Sequence, residues 1–120
     1  MRETIFMTKS MEKTVNQGEV WIASVKFVQD NQTKVRPVLA VSLEIDGDDD
    51  VVVLPVTSQN PRNDYDVEVS DYDGTGLLKQ PSYIRTSKPL TIEKKALKKK
   101  IGEINDIDLA NALEKLRSLF

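Results

Sequence analysis

The chain has 120 residues, of which 39% are apolar and 30% charged, and its formal net charge is −2. This length fits one domain with one core, and no apolar stretch approaches the length of a membrane span. Cysteine and histidine are both absent, which argues against a disulfide framework, a thiolate nucleophile and a zinc site. We therefore expect a cytoplasmic protein without a metal or other cofactor.

The first part of the chain divides into a polar segment and a strand. Residues 1–17 are polar and weakly patterned, which predicts an N-terminal extension outside the core, followed by a domain over residues 18–120. Residues 18–25 alternate in the period of a strand, with Val20 and Ile22 on one face and Trp21 and Ala23 on the other. Residues 28–34 then form a polar loop.

Two further apolar segments each carry a polar group at one end. The segment 36–42 begins with Arg36, and the segment 51–59 ends with Thr57 and Ser58. If the two strands pair antiparallel around the acidic tip at residues 46–50, the start of one faces the end of the other. A guanidinium and two hydroxyls would then meet at one edge of the sheet. This combination suits an anion, and a phosphate above all.

The rest of the chain reads as short strands followed by a helix. Strands are predicted at residues 65–70, 82–87 and 98–104, a turn at 71–76 and a single helical turn at 93–97. Asn105 or Asp106 can cap a final helix, whose apolar residues recur at helical spacing: Leu109, Leu113, Leu116 and Phe120. The pattern predicts a mainly β protein with a C-terminal helix, built as a small, strongly bent antiparallel barrel.

The charges are unevenly distributed along the chain. Acidic residues concentrate at 46–50 and 64–73, whereas lysines and one arginine concentrate at 79–100. A solvated surface explains the lysine run without any ligand. The same distribution also permits a local anion-binding face on an acidic protein.

Five landmarks follow an order and spacing that resembles the PemK/MazF toxin family of bacterial toxin–antitoxin systems. They are Gly-Glu-Val-Trp, Arg-Pro-Val-Leu, Leu-Pro-Val-Thr-Ser-Gln, Ile-Arg-Thr and Ile-Gly-Glu-Ile, at residues 18–21, 36–39, 54–59, 84–86 and 101–104. The resemblance covers residues 18–120. It implies an SH3-like barrel of the CcdB/MazF type, a homodimer, and metal-independent, sequence-specific cleavage of single-stranded RNA. It also implies a cognate antitoxin, for which we expect an acidic C-terminal segment.

The resemblance assigns roles to particular residues. Arg36 would stabilise the negative charge that builds on the phosphoryl oxygens when the 2'-hydroxyl of RNA attacks the adjacent phosphorus, and Thr57 would hydrogen-bond the same phosphate. The remaining substrate-binding residues would be Ser58, Gln59, Lys79 and Arg85. From the residue alone, Arg85 could instead pair with Asp66 or Glu68 across a sheet.

The general base and two other functions stay open. Some relatives carry a carboxylate where this chain has Ser82, and others carry one where it has Asn31, beside Asp30. Water, Asp30 and Glu19 are therefore all candidates for the base. A non-catalytic toxin of the CcdB type is one alternative, although the chain lacks the Trp-Gly-Ile tail associated with that mode. A non-catalytic SH3-like interaction module is the other.

Overall fold

The computed structural model describes residues 13–26, 32–70, 72–74 and 78–120. Within these ranges the chain forms eight strands, one turn of 3₁₀ helix and one α-helix. The elements are β1 Glu19–Lys26, β2 Thr33–Ala40, β3 Asp50–Thr57, β4 Asp66–Glu68, β5 Tyr72–Gly74, β6 Tyr83–Arg85, β7 Leu90–Glu93, the 3₁₀ turn Lys94–Ala96, β8 Leu97–Ile104 and α1 Asp106–Arg117. The prediction of a mainly β fold with a C-terminal helix is confirmed. In the same ranges, no helix combines the length and apolar character needed to cross a bilayer.

All the described strands pair antiparallel in one sheet, in the order β4-β6-β3-β2-β1-β8-β5, with β7 paired to β3 outside this path. Strand β3 changes partner along its length. Its first half pairs with β7, residues 53–55 pair with β2, and residues 56–57 pair with β6. The predicted antiparallel pairing of β2 with β3 around the acidic tip is therefore confirmed.

The alternation of β1 places apolar side chains on both faces of the sheet, and both faces are buried. Val20 lies in one hydrophobic cluster with Leu39, Leu54 and Ile84. Trp21 lies in a second cluster with Ala23, Val25, Val38, Val53 and Leu97. The two sets of β1 residues predicted from sequence thus belong to two separate clusters, because a central strand is covered on each side.

The helix α1 covers the first of these clusters. Asn105 caps the helix by accepting a hydrogen bond from the backbone N–H of Asp108 at 2.7 Å. Leu109, Leu113 and Leu116 pack against the cluster as predicted. Phe120 does not, because α1 ends at Arg117 and leaves the Phe120 side chain 94% exposed. Its assignment to the apolar stripe is wrong.

Two further predictions differ from the structure. Residues 72–74 of the predicted turn form β5, which pairs with β8. Glycine at positions 74 and 102 allows this close approach, since a Cβ on Gly74 would lie 2.2 Å from the carbonyl oxygen of Ile101. Residues 13–17, predicted to lie outside the core, contribute the buried Val15 to the second cluster. Residues 1–12 lie outside the described part of the chain.

Candidate active site

A cavity of about 1030 Å³ opens where β2 and β3 separate. Their pairing extends only to Val38 and Pro55, so Arg36 and Thr57 lie two residues beyond the last pair, one on each strand. Pro37 and Pro55 lack an amide hydrogen and cannot donate to the ladder, which favours its interruption at this point. Beyond it, Thr57 pairs with Tyr83 of β6 instead of with β2.

All six residues predicted to form the site line this one cavity. They are Arg36, Thr57, Ser58, Gln59, Lys79 and Arg85. They come from three separate parts of the chain: β2, the end of β3, and the segment that runs from residue 78 into β6. The structure therefore brings together in space the groups that the sequence analysis grouped by motif. Their roles stay predictions.

Arg36 and Thr57 present their polar groups in different ways. Arg36 is exposed, and its Nη1 donates a hydrogen bond to the carbonyl oxygen of Val35 at 2.9 Å. Thr57 is half-buried, and its Oγ1 accepts a hydrogen bond from the backbone N–H of Gln59 at 3.1 Å. That bond fixes the hydroxyl oxygen while leaving its proton able to donate. Thr57 can therefore donate to a ligand oxygen in the cavity.

Arg85 is buried and held by a carboxylate. Its Nη1 lies 3.0 Å from Oδ2 of Asp66, its cross-strand neighbour on β4. The cross-strand pairing that the sequence analysis weighed for Arg85 is present, and it is made with Asp66. Arg85 nevertheless lines the cavity, so the pairing and a contact to a ligand are compatible: a guanidinium has five N–H donors.

The described lining of the cavity contains no carboxylate but six cationic side chains. These are Lys34, Arg36, Arg62, Lys79, Arg85 and Lys88. Arg36, Arg62, Lys79 and Lys88 have no carboxylate oxygen within 4.0 Å in the described part of the chain. Arg62 was not predicted as a site residue. Its position in the loop directly after the Thr57–Ser58 motif is the feature that could have indicated it. Concentrated positive charge without carboxylates suits a polyanion.

Neither carboxylate candidate for the general base is among the described lining residues of the cavity. At position 82, where some relatives carry a carboxylate, this chain has a buried Ser82 whose hydroxyl donates to the backbone oxygen of Lys79. Glu19 does not line the cavity, because it lies four residues from Ala23, the β1 partner of Arg36. That separation is about 13 Å along an extended strand. Asp30 and Asn31 lie outside the described residues.

Glu19 has a structural environment of its own. Burial by itself raises the pKa of this carboxyl. The backbone N–H of Asn16, the Trp21 indole and the Lys100 ammonium outweigh that effect, so the pKa lies below its usual value. Lys100 lies 3.1 Å from the Glu19 carboxylate, and the pKa of Lys100 is raised by the hydrogen bond to Glu19. The Glu19 carboxylate and the Lys100 ammonium therefore stabilise each other's charge and do not serve to bind a ligand.

The chain matches a known protein family over most of its length. The model of the PemK-like, MazF-like toxins of type II toxin–antitoxin systems matches residues 16–120. The chain therefore belongs to this family. No protein of curated function matched the sequence.

Solved structures share the fold at low sequence identity. MazF from Deinococcus radiodurans superposes with a TM-score of 0.71 at 19% identity, covering 90% of this chain and 97% of that one. An endoribonuclease from a mycobacterial species gives 0.68 at 16% identity, covering 90% and 92%. An endoribonuclease in complex with its cognate antitoxin, also mycobacterial, gives 0.69 at 18%, covering 87% and 92%.

Proposed function

We propose that this chain is an endoribonuclease toxin that cleaves single-stranded RNA at specific sequences without a metal, and that a cognate antitoxin neutralises it. The observation that carries the proposal is the cavity between β2 and β3. It gathers Arg36, Thr57 and further cations, of which Arg62, Lys79 and Lys88 have no carboxylate oxygen within 4.0 Å among the described residues. Membership of the toxin family and the likeness in fold to proteins described as endoribonucleases support it. The site of action is the cytoplasm, where messenger RNA is available.

The reaction we infer uses the nucleophile that RNA itself carries. The 2'-hydroxyl attacks the adjacent phosphorus, the bond to the 5'-oxygen of the next nucleotide breaks, and that oxygen takes up a proton. The products are a 2',3'-cyclic phosphate and a 5'-hydroxyl. The described cavity lining offers no carboxylate, so the proton of the 2'-hydroxyl passes to water or to Asp30, which lies outside the described residues. Arg36 stabilises the charge on the phosphoryl oxygens, and Thr57 donates a hydrogen bond to one of them.

The other cavity residues would hold the RNA on either side of the reacting phosphate. Lys79 and Arg85 would contact neighbouring phosphates, and Ser58 and Gln59 would donate to phosphate or base oxygens. Aromatic or guanidinium stacking on unpaired bases commonly accompanies such contacts in single-stranded RNA. Cleavage specificity would then depend on the shape of the loops around the cavity.

The test uses pure protein, a long mixed-sequence RNA and EDTA. Cleavage with a 2',3'-cyclic phosphate end is expected, and a short RNA with a 2'-O-methyl group at the mapped scissile nucleotide should resist. Cutting of that modified RNA at the normal rate would mean that water is the nucleophile and would contradict the mechanism. Binding of RNA without cleavage would favour the interaction module instead.

We also infer a homodimer. The sheet path ends at two short strands, β4 and β5, and open strand edges are commonly covered by association. Large apolar side chains are exposed as well, among them Val35 and Leu43. Light scattering at high concentration should give twice the 13.5 kDa of one chain. A mass of one chain would contradict the dimer.

The antitoxin we infer inserts an acidic, extended segment into the cavity. Solved structures of MazF from Deinococcus radiodurans include complexes with MazE, which supports an antitoxin partner for this chain. In this chain Arg36, Lys79 and Lys88, which have no carboxylate within 4.0 Å in the described ranges, would attract Glu and Asp side chains as they attract phosphates. The product of a neighbouring small gene should inhibit cleavage, and less so at high salt. Inhibition that neither salt nor Arg36→Ala weakens would contradict this binding mode.

A further inference from the structure

Asp66 connects two walls of the cavity without lining it. Its side chain is only 1% exposed. Its Oδ2 accepts one hydrogen bond from Arg85 Nη1 at 3.0 Å and another from the backbone N–H of Arg62 at 2.8 Å. Arg85 lies on β6, and Arg62 lies in the loop that follows Ser58 and Gln59. One carboxylate oxygen therefore holds together two chain segments that each supply a cation to the cavity.

We propose that Asp66 is a positioning residue for RNA cleavage, acting through Arg85 and the Arg62 loop. It fixes one N–H of the Arg85 guanidinium, so the remaining donors point in defined directions instead of sampling rotamers. It also offsets one positive charge in a cavity whose described lining includes six cations. RNA is then held in one orientation and not merely attracted. The inference rests on the proposed endoribonuclease function.

This role differs in its kinetics from a purely structural one. A structural ion pair contributes to the free energy of unfolding, and its loss leaves kcat and RNA affinity of the folded protein unchanged. A positioning carboxylate has opposite effects on the two quantities. Removing its charge makes the cavity more cationic, so RNA binds more tightly, while the misaligned guanidinium slows the reaction.

Asp66→Asn is the informative variant, because the amide oxygen still accepts from the Arg62 N–H while the charge is lost. We expect kcat to fall on the order of tenfold to a hundredfold. Binding of a short RNA that carries a 2'-O-methyl group at the mapped cleavage site should become tighter at low salt. Its salt dependence should steepen by about 0.7 in log–log slope, the value for one more phosphate contact on a single strand.

Glu44→Gln is a matched control. Glu44 also binds one cation and one backbone N–H, namely Lys94 at 2.6 Å and Val15 at 2.8 Å, but none of the three lines the cavity. It should lower the Tm and leave kcat and the RNA dissociation constant of the folded protein as in the wild type. Parallel changes in kcat for Glu44→Gln and Asp66→Asn would overturn the proposal.

A double-mutant cycle supplies the decisive comparison, and it stays informative even if the Asp66→Asn variant folds poorly. In Arg85→Gln protein, adding Asp66→Asn leaves no unpaired buried charge, and kcat should not fall further if Asp66 acts through Arg85. Full additivity, or unchanged kcat and affinity in Asp66→Asn, would contradict the inference. Absence of any cleavage by the wild-type protein would instead contradict the proposed function, so the two failures are distinguishable.

Discussion

Two regions of the molecule differ in how their lysine and arginine side chains are paired. At the end of β1 remote from the cavity, and beside the 3₁₀ turn, cations are paired with carboxylates: Lys100 with Glu19 and Lys94 with Glu44. In the cavity, Arg36, Lys79 and Lys88 have no carboxylate partner within 4.0 Å among the described residues.

The paired lysines stabilise the folded protein, whereas the cations of the cavity are available to bind a ligand. Clustered cations repel one another, so an unpaired set in a cavity destabilises the free protein. A phosphate chain or an acidic peptide removes that repulsion when it binds. The lysine ammonium groups of Lys94 and Lys100, each already paired with a carboxylate outside the cavity, offer little to a polyanion. Substitutions in the two regions should therefore separate activity from stability.

Replacing Arg36 by Ala should have the largest effect on activity and little effect on stability. Loss of one preorganised donor to the developing charge typically costs ~2.7–4 kcal/mol, or about 10²–10³ in rate. Arg36→Lys should restore only part of the rate, because an ammonium cannot make a bidentate phosphate contact. Cleavage is measured at constant folded protein, with folding checked by circular dichroism.

Lys100→Ala is the reciprocal variant. It leaves the Glu19 carboxylate buried without its ammonium partner, so the Tm should fall while cleavage by the folded protein stays normal. The contrast between the two regions fails if Arg36→Ala retains near wild-type cleavage, or if Lys100→Ala loses as much cleavage as Arg36→Ala.

Thr57→Ala should slow cleavage less than Arg36→Ala does. The threonine hydroxyl accepts from the backbone N–H of Gln59, and its proton is the group available to the phosphate. A neutral donor contributes less than a charged one. Thr57→Ser keeps the hydroxyl and should cleave close to the wild-type rate. Equal rates for the alanine and serine variants would show that the hydroxyl does not contact the phosphate.

The sequence predicted that Arg36 and Thr57 lie near each other, because both positions depend on the pairing of two strands, and the two residues line one cavity. Once residues 36–42 and 51–59 are recognised as antiparallel strands, the pairing places Arg36 beside the end of β3. The pairing of Arg85 was left open between Asp66 and Glu68. Choosing Asp66 requires knowing that β4 pairs with β6 in the register that opposes Asp66 to Arg85, and both strands have only three residues.

The other errors also concern short or terminal segments. The Asp and Gly residues of β5 favour a turn, whereas pairing with β8 decides its conformation. Phe120 fits the helical period, but period alone does not show where a helix ends. Long, strongly patterned elements such as β1, β3 and α1 were predicted correctly, since burial along their whole length determines them.

A smaller effect is expected from Glu19→Gln, and it should depend on pH. The folded-state pKa of Glu19 lies below its unfolded value of about 4.3. Its contribution to stability is therefore complete above that value and is lost as the pH falls through the folded pKa. Glu19→Gln should lower the Tm at pH 7 and flatten the Tm profile below about pH 4.3. A mutant profile parallel to that of the wild type would contradict the assignment.

The smallest effect is expected for Glu93→Gln, which tests whether burial or mere pairing defines the stabilising region. Glu93 lies 3.7 Å from Lys95, but the two side chains are 62% and 81% exposed. Water and salt screen such a pair, and holding two long side chains in one geometry costs entropy. The Tm at pH 7 should match that of the wild type within error, in contrast to Glu19→Gln, whose side chain is 7% exposed. A fall as large as that of Glu19→Gln would mean that pairing alone, without burial, stabilises this end of the sheet.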